Sequence, residues 1–519
     1  MTISIRDTRP AVVPATPPPA PRRWDAGLVA LLAIVVSAAG AARPSLWFDE
    51  AATISAGTRS VPELLRMVGH IDAVHGVYYL LMHGWFAVFP ATEFMSRLSS
   101  AIAVGAAAAG VVVLGRQLST RQVAVTAGLV FAILPRVTWA GMETRSYALT
   151  MAAALWLTVF CVRAARRNRK VLWCGYFALL VAATLLNVFL VLIIPVHAVA
   201  VGVCAGRRAL RDWAVAAVAA VGAVTPFLMF TQTQLFQVRW ISPLQAGTVV
   251  KIVQDQYFDR AVPFAALAGA ILLAGGVELW RRGTPASVRP ARLAVIAITW
   301  MAAPTAALLL YSAVRHPVYY PRYLSFTAPA IALLLGQCVV AVGRGRVGVT
   351  AILAALTVAA APNYLAQRGP YAKEHMDYSQ VADVIERYAA PGDCLVLDNS
   401  TTWKPGPIRP LLAARPAAYQ KLHDYGRGRT AIQRNMLWDS HIAIWAWADK
   451  MPDCPALWTI TERDPSRPDH ESGPSLPPGP RLGRAMAYQV PSRFGFHVVE
   501  RWQFSFAQVT KSEGLVRGA

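Results

Sequence analysis

A chain of 519 residues that is 55% hydrophobic and only 15% charged is too apolar for a water-soluble protein, in which about a quarter of the residues carry charge. The formal net charge of +22 would suit a nucleic-acid binder if the basic residues paved one domain. Instead they punctuate the apolar runs, as at Arg163, Arg166, Arg167, Arg169 and Lys170, at Arg207, Arg208 and Arg211, at Arg281, Arg282, Arg289 and Arg292, and at Arg344 and Arg346. That is the distribution of the positive-inside rule, and no nucleic-acid partner is expected.

Residues 1–23 are rich in Pro and Arg and lack periodicity, which reads as a disordered cytoplasmic tail. The run 25–42 is long for a signal peptide. It is read as an uncleaved first span, although Ala39-Gly40-Ala41 has the look of a cleavage site. Arg6, Arg9, Arg22 and Arg23 keep the N-terminus inside, so residues 44–94 form a first outer loop. Within it, 76–89 is apolar and aromatic but short, which suits an interfacial helix.

Further spans are predicted near 97–115, 122–135, 146–163, 171–186, 188–205, 213–230, 262–280, 293–313, 323–342 and 347–363, for a total of about eleven. The split of 171–205 at Asn187 keeps every basic cluster on the inner face. An odd count then places residues 364–519 outside. The chain so divides into the tail 1–23, a membrane domain 24–363 and a soluble domain 364–519.

The soluble part alternates a helical pattern at 378–390 with strand patterns at 394–398, 456–462 and 495–509, while 464–482 reads as a Pro/Gly/Ser loop. A small α/β domain is expected. Of the six cysteines, Cys161, Cys174, Cys204 and Cys338 lie in or beside apolar segments and read as small hydrophobes. Cys394 and Cys454 fall in the soluble part, where a disulfide is expected outside the cytoplasm, two free thiols being the alternative.

The polar residues of interest crowd the outer boundary. The first outer loop opens on Trp47-Phe48-Asp49-Glu50-Ala51, and Asp72, His75 and Tyr78-Tyr79 follow. Two acids after a span can be a solvated turn near a helix start, but acids at a membrane boundary usually serve a cavity. The next outer loop holds Arg136, Trp139, Glu143, Arg145 and Tyr147, where Glu143 and Arg145 could be a bland ion pair. A later boundary, 315–323, gathers Arg315, His316, Tyr319, Tyr320, Arg322 and Tyr323. An aromatic belt with interfacial Arg anchors would look similar. Cations on the outer face defy the positive-inside trend, however, and an anionic ligand would explain them, since Arg forks suit phosphate.

Aromatic-Asp-Glu after the first span, then Asp-x-x-His-x-x-Tyr-Tyr-Leu-Leu-x-His-x-Trp, then Glu-Phe-x-x-Arg-Leu-x-Ser-Ala at 93–101, resembles the GT-C glycosyltransferases. Among these it is closest to the clan of protein O-mannosyltransferases and the lipid A aminoarabinose transferase. The resemblance covers about residues 25–340 and is strongest over 46–147 and at Pro321-Arg322-Tyr323. Relatives often carry His-Pro-Pro where this chain has His75-Gly76-Val77.

The resemblance implies a polytopic α-helical membrane protein of GT-C type with an extracytoplasmic α/β domain at its C-terminus. It implies an inverting transferase that takes a sugar, mannose first, from a polyprenyl-phosphate donor to a cell-envelope glycan, glycolipid or protein. The setting would be the outer face of a bacterial plasma membrane. It makes Asp49 the base, with Glu50 orienting the acceptor or a neighbouring cation. Arg145, His316 and Arg322 become donor-phosphate ligands. Asp72, His75, Tyr78, Glu143 and Tyr320 are further substrate-site candidates. No cofactor or metal is expected, a divalent ion being the open alternative. Arabinose or aminoarabinose donors fit the same residues. A lipid-linked-sugar flippase is the competing class, but it should show mid-span charges and repeat symmetry, and the sequence shows neither.

Overall fold

The computed structural model describes residues 24–281, 288–398 and 409–514. The predicted tail 1–23 lies outside the described residues.

The chain begins with α1 (Asp25–Ala38). The segment read as the first outer loop then forms three short helices, α2 (Phe48–Gly57), α3 (Val61–Val68) and α4 (Gly76–Phe86). α2 starts after an extended Trp47, and Asp49 and Glu50 occupy its first turn, where the helix dipole favours negative charge. α3 is opened by Ser60, whose N–H donates to the Glu63 carboxylate at 3.0 Å, the backward half of a capping box. α4 covers most of the apolar stretch 76–89 read as an interfacial helix.

Long Ala- and Val-rich helices follow: α5 (Glu93–Leu118), α6 (Arg121–Ile133), the short α7 (Pro135–Ala140), α8 (Tyr147–Arg167), α9 (Lys170–Leu186), α10 (Ile194–Cys204) and α11 (Arg207–Gln232). The predicted break at Asn187 is present. Its backbone is extended, and its side chain accepts from Phe189 N at 3.0 Å, starting a 3₁₀ turn that leads into α10.

Among the described residues, seven helices have the length and apolar composition to cross a bilayer: α5, α8, α11, Val262–Arg281, Ala291–Val314, Pro321–Gly343 and Arg346–Ala366. The other predicted spans fall on shorter apolar helices, α1, α6, α9 and Val188–Cys204, below the roughly 20 residues that a crossing needs. Small residues let the bundle close tightly. A Cβ added at Gly336 would stand 2.6 Å from Ala127 of α6, the close backbone approach common between membrane helices. At one end of the bundle Asp25 pairs with Arg116 and with Arg121, the latter at 2.6 Å, joining α1, α5 and α6.

Beyond Ala366 a linker leads to the helix Tyr378–Tyr388 and a five-stranded sheet of order β1-β2-β5-β4-β3. The strands are β1 (Cys394–Leu397), β2 (Ala456–Glu462), β3 (His470–Leu476), β4 (Phe496–Gln503) and β5 (Ala507–Gly514). β1 and β2 are parallel and the remaining pairs antiparallel. Cys394 and Cys454 are disulfide-bonded and so staple the two parallel strands at the same end.

Two strand expectations need correction. Residues 495–509 form a hairpin rather than one strand, because the chain reverses over Phe504–Phe506, with Phe504 N bonded to Ala507 O at 2.9 Å. The expected loop 464–482 contains β3, a largely exposed edge strand.

The sheet domain is packed onto the membrane domain. Leu46, Trp47, Ala51 and Ile54, in and just before α2, share one core with Val381, Ile385, Leu395, Trp458, Ile460 and Val509. A second core joins Ala52, Ala56, Leu64 and Tyr79 to Leu437 of the C-terminal part. α2 therefore lies between the membrane bundle and the sheet, and the residues of its first turn sit at that junction.

Candidate active site

The order of contacts begins with Glu50. It is fully buried and pairs with Arg97 through both oxygens, at 2.8 and 2.6 Å. It also accepts from Thr144 N at 3.0 Å. Arg97 in turn donates to the carbonyls of Ala41, Pro44 and Ser45. These bonds satisfy both members of a buried pair, the condition under which such a pair persists. Glu50 is thus committed to fixing α2 against α5 and the loop before α8. Its carboxylate is turned to Arg97 and is fully buried.

Asp49, one residue earlier, turns the other way. Its Oδ2 lies 3.3 Å from an Nη of Arg322, and its side chain is 15% exposed. Arg322 comes from the 3₁₀ segment Pro321–Thr327 and is seated among aromatic rings. Its Cζ lies 5.2 Å from the Trp47 ring and 4.8 Å from that of Tyr320, with Trp240 edge-on to Tyr320 at 5.0 Å. Such rings hold a guanidinium by cation–π attraction while leaving its N–H groups available.

Arg145 supplies a second cation. It donates to the Asp49 carbonyl at 3.4 Å and to Tyr79 Oη at 3.1 Å, and its Nη2 lies 2.9 Å from His75 Nε2. Tyr79 donates to Asp72 Oδ2 at 2.6 Å. Asp72 holds a left-handed backbone with φ of 59°, a conformation that Asp tolerates better than most residues. Burial pushes the Asp72 carboxyl up, against the opposing charge of Arg145.

Burial, with Arg145 and Arg322 nearby, holds the His75 imidazole well below its usual value, which favours the neutral ring. With Nε2 accepting from Arg145, the ring proton sits on Nδ1. Within this cluster His75 Nδ1, Tyr78 Oη, Arg145 Nε and Arg322 Nε are buried without a hydrogen-bond partner. Buried donors are rarely left unpaired, and a group of them beside two cations is a ready-made place for an anion.

Glu143 lies on the far side of Trp47. Its Oε2 accepts from the Trp47 indole at 3.0 Å, and its Oε1 pairs with Lys373. Burial pushes its carboxyl up, against the Lys373 charge that pulls it down. Glu143 is fully buried and is a support beneath Trp47, not a partner of Arg145.

The structure therefore brings Asp49, Arg145, Arg322, Asp72, His75, Tyr78 and Tyr320 together. It does not bring in His316, which is partly exposed and, among the described residues, shares no hydrogen bond, ion pair or ring contact with them. Nearness in sequence to Arg322 does not by itself bring it into the cluster. The sequence reading missed Trp240 and Lys373. Lys373 is a lone cation in a polar linker, with no spacing that ties it to the outer loops.

Beside the cluster, Tyr78, Leu81, Met82, Trp85, Ile102 and Leu149 are among the residues lining an apolar groove of about 240 Å³ between α4, α5 and α8. Among the described residues, no group of three or more His, Cys, Asp or Glu is placed to hold a metal ion.

Among solved structures, the chain is similar to ArnT from Cupriavidus metallidurans in the apo state, with a TM-score of 0.57 and 13% identity, over 93% of this chain and 97% of that one. It is also similar to the same protein bound to undecaprenyl phosphate, with a TM-score of 0.52 at the same identity and coverage. No protein-family model matches the chain, and comparison with the curated proteins finds no match. At this identity the likeness speaks to the fold, which is of the GT-C type that the outer-loop motifs led one to expect.

Proposed function

We propose that the chain is an inverting glycosyltransferase that moves a sugar from a polyprenyl-phosphate donor to a hydroxyl of a cell-envelope acceptor. One observation carries the reading: a boundary carboxylate, Asp49, lies 3.3 Å from a ring-seated Arg322, beside Arg145 and several unpartnered buried donors. The solved structure of a protein of similar fold with undecaprenyl phosphate supports a lipid phosphate as the donor. The apolar groove that shares Tyr78 with the cluster supports it too, since a lipid chain needs an apolar surface beside its phosphate.

In the proposed step the acceptor oxygen attacks the anomeric carbon and its proton passes to Asp49. The bond from that carbon to the phosphate oxygen breaks, and the electron pair stays on the phosphate. Arg322 and Arg145 neutralise the charge that gathers there. The Arg322 fork reaches past Asp49 through its unpartnered Nε, so one guanidinium can face both the base and the leaving group. His75 Nδ1–H and Tyr78 Oη–H are uncharged donors for the same phosphate or for the sugar.

Mannose is the sugar proposed first, on the motif resemblance. The sheet domain is proposed to lie outside the cytoplasm, with Asp49 facing the same side. The test is a panel of radiolabelled polyprenyl-phosphate donors, mannose and arabinose among them, given to the full chain in proteoliposomes. Sugar appearing in an acceptor supports the reading. Donor that crosses the bilayer intact, with no sugar transferred, would replace it with a transporter.

A further inference from the structure

We propose that Lys373, in the linker between the last membrane helix and the sheet domain, is a positioning residue that holds the Asp49–Arg322 pair in place through Glu143 and Trp47. The proposal rests on the glycosyl-transfer reading above.

The relay is a continuous set of buried contacts. Lys373 pairs with Glu143 Oε1, with side chains 3% and 0% exposed. Glu143 Oε2 accepts from Trp47 Nε1 at 3.0 Å. The Trp47 ring lies 5.2 Å from the Arg322 guanidinium, which lies 3.3 Å from Asp49. Both ends of the linker are tied down. Arg368 donates to Val36 O at 2.8 Å in α1, while Asp377 accepts from Phe506 N and Ala507 N, at 2.7 and 2.8 Å, in the β4–β5 hairpin. Lys373 is thus set by the membrane bundle and by the sheet domain at once.

A buried ammonium is costly without its counter-charge, so the pair fixes Glu143 in its ionised, twice-accepting form. The groups facing Glu143 are Lys373, Glu50 of α2, Arg97 of α5, Tyr78 of α4 and Tyr147 of α8. Arg97 is already committed to Glu50, which leaves Lys373 as the cation that Glu143 depends on. Without it, burial favours the protonated carboxyl at neutral pH. A carboxyl carrying that proton holds the indole less firmly, and Trp47 and Arg322 lose their seat.

The test measures kcat and KM across the neutral pH range for the full chain in nanodiscs, comparing wild type with Lys373→Met, Lys373→Arg, Glu143→Gln and the Lys373→Met/Glu143→Gln double variant. Lys373→Met should lower kcat about tenfold to a hundredfold at neutral pH with little change in acceptor KM, and its acidic limb should move to higher pH. Lys373→Arg should restore most of the rate. The double variant should be no slower than Glu143→Gln alone, because the two residues act through one contact. An unmoved acidic limb, or independent losses that multiply in the double variant, would overturn the proposal.

A second readout does not depend on turnover. An acid raised in the fold stabilises below its ordinary range, and that stability is lost as pH rises through the raised value. The melting temperature of Lys373→Met should therefore fall more steeply than that of wild type between about pH 5 and 8, and Glu143→Gln in the same background should remove the difference. A wild type that transfers no sugar but shows this pattern would sink the transfer reading while keeping the buried pair. Coincident melting curves for Lys373→Met and the double variant would sink the pair itself.

Discussion

The Asp49 carboxylate and the Arg322 guanidinium stand 3.3 Å apart, although one lies in the first turn of α2 and the other in the distant segment Pro321–Thr327. The contact joins a group suited to taking a proton to a group suited to holding a phosphate, and it does so at the membrane boundary.

Arg322→Ala is expected to lower kcat/KM by about a hundredfold or more, the scale of losing one fixed charge that meets a developing anion. Arg322→Lys should recover little, because an ammonium neither stacks on Tyr320 and Trp47 as a flat fork does nor spans two partners. Steady-state kinetics against the donor check this; full activity in Arg322→Lys would remove the fork argument.

Arg97 offers a contrast, since its partner Glu50 is placed for structure. Arg97→Met leaves a buried carboxylate without its cation, a change that typically costs about 3–5 kcal/mol. The melting temperature of the detergent-solubilised protein should drop sharply. A melting temperature equal to that of wild type would mean that the buried pair does not hold α2 in place.

The Cys394–Cys454 bond closes a loop with a sequence separation of 60 residues, worth about 4 kcal/mol in the chain-entropy picture. Neither thiol should alkylate in the unreduced protein and both should after reduction, and Cys394→Ser/Cys454→Ser should melt earlier. Alkylation of both before reduction would show the bond to be absent.

Ile432 is an exposed residue of the soluble part. An Ile432→Cys variant, in a background without the free cysteines, should react with a membrane-impermeant maleimide in intact cells. Labelling only after the cells are opened would invert the proposed topology.

Much of the fold was legible because a bilayer imposes one strong rule, the long apolar run, and because Asn187 interrupts such a run with a side chain that caps a turn. The sheet was read less well for equally physical reasons. Phe504 and Phe506 continue an apolar strand pattern through a reversal that carries no Gly or Pro. β3 is a polar edge strand containing Gly473 and Pro474, which look like loop residues. In the site, Asp49, Arg145 and Arg322 could be picked out because charges at an outer boundary need a reason. The roles of Asp49 and Glu50 were separated only by the motif resemblance, since adjacent residues at a helix start point to different sides and only packing decides which side is buried. Lys373 was invisible for the same reason: its partner is distant in sequence and is chosen by how the linker folds back.

The most direct measurement is sugar transfer from the active polyprenyl-phosphate donor by wild type and by Asp49→Asn, both shown to be folded by their melting temperatures. The account predicts transfer by wild type and a loss of at least about a hundredfold in the variant, with binding of the bare polyprenyl phosphate largely retained. An Asp49→Asn protein that turns over at the wild-type rate would contradict it.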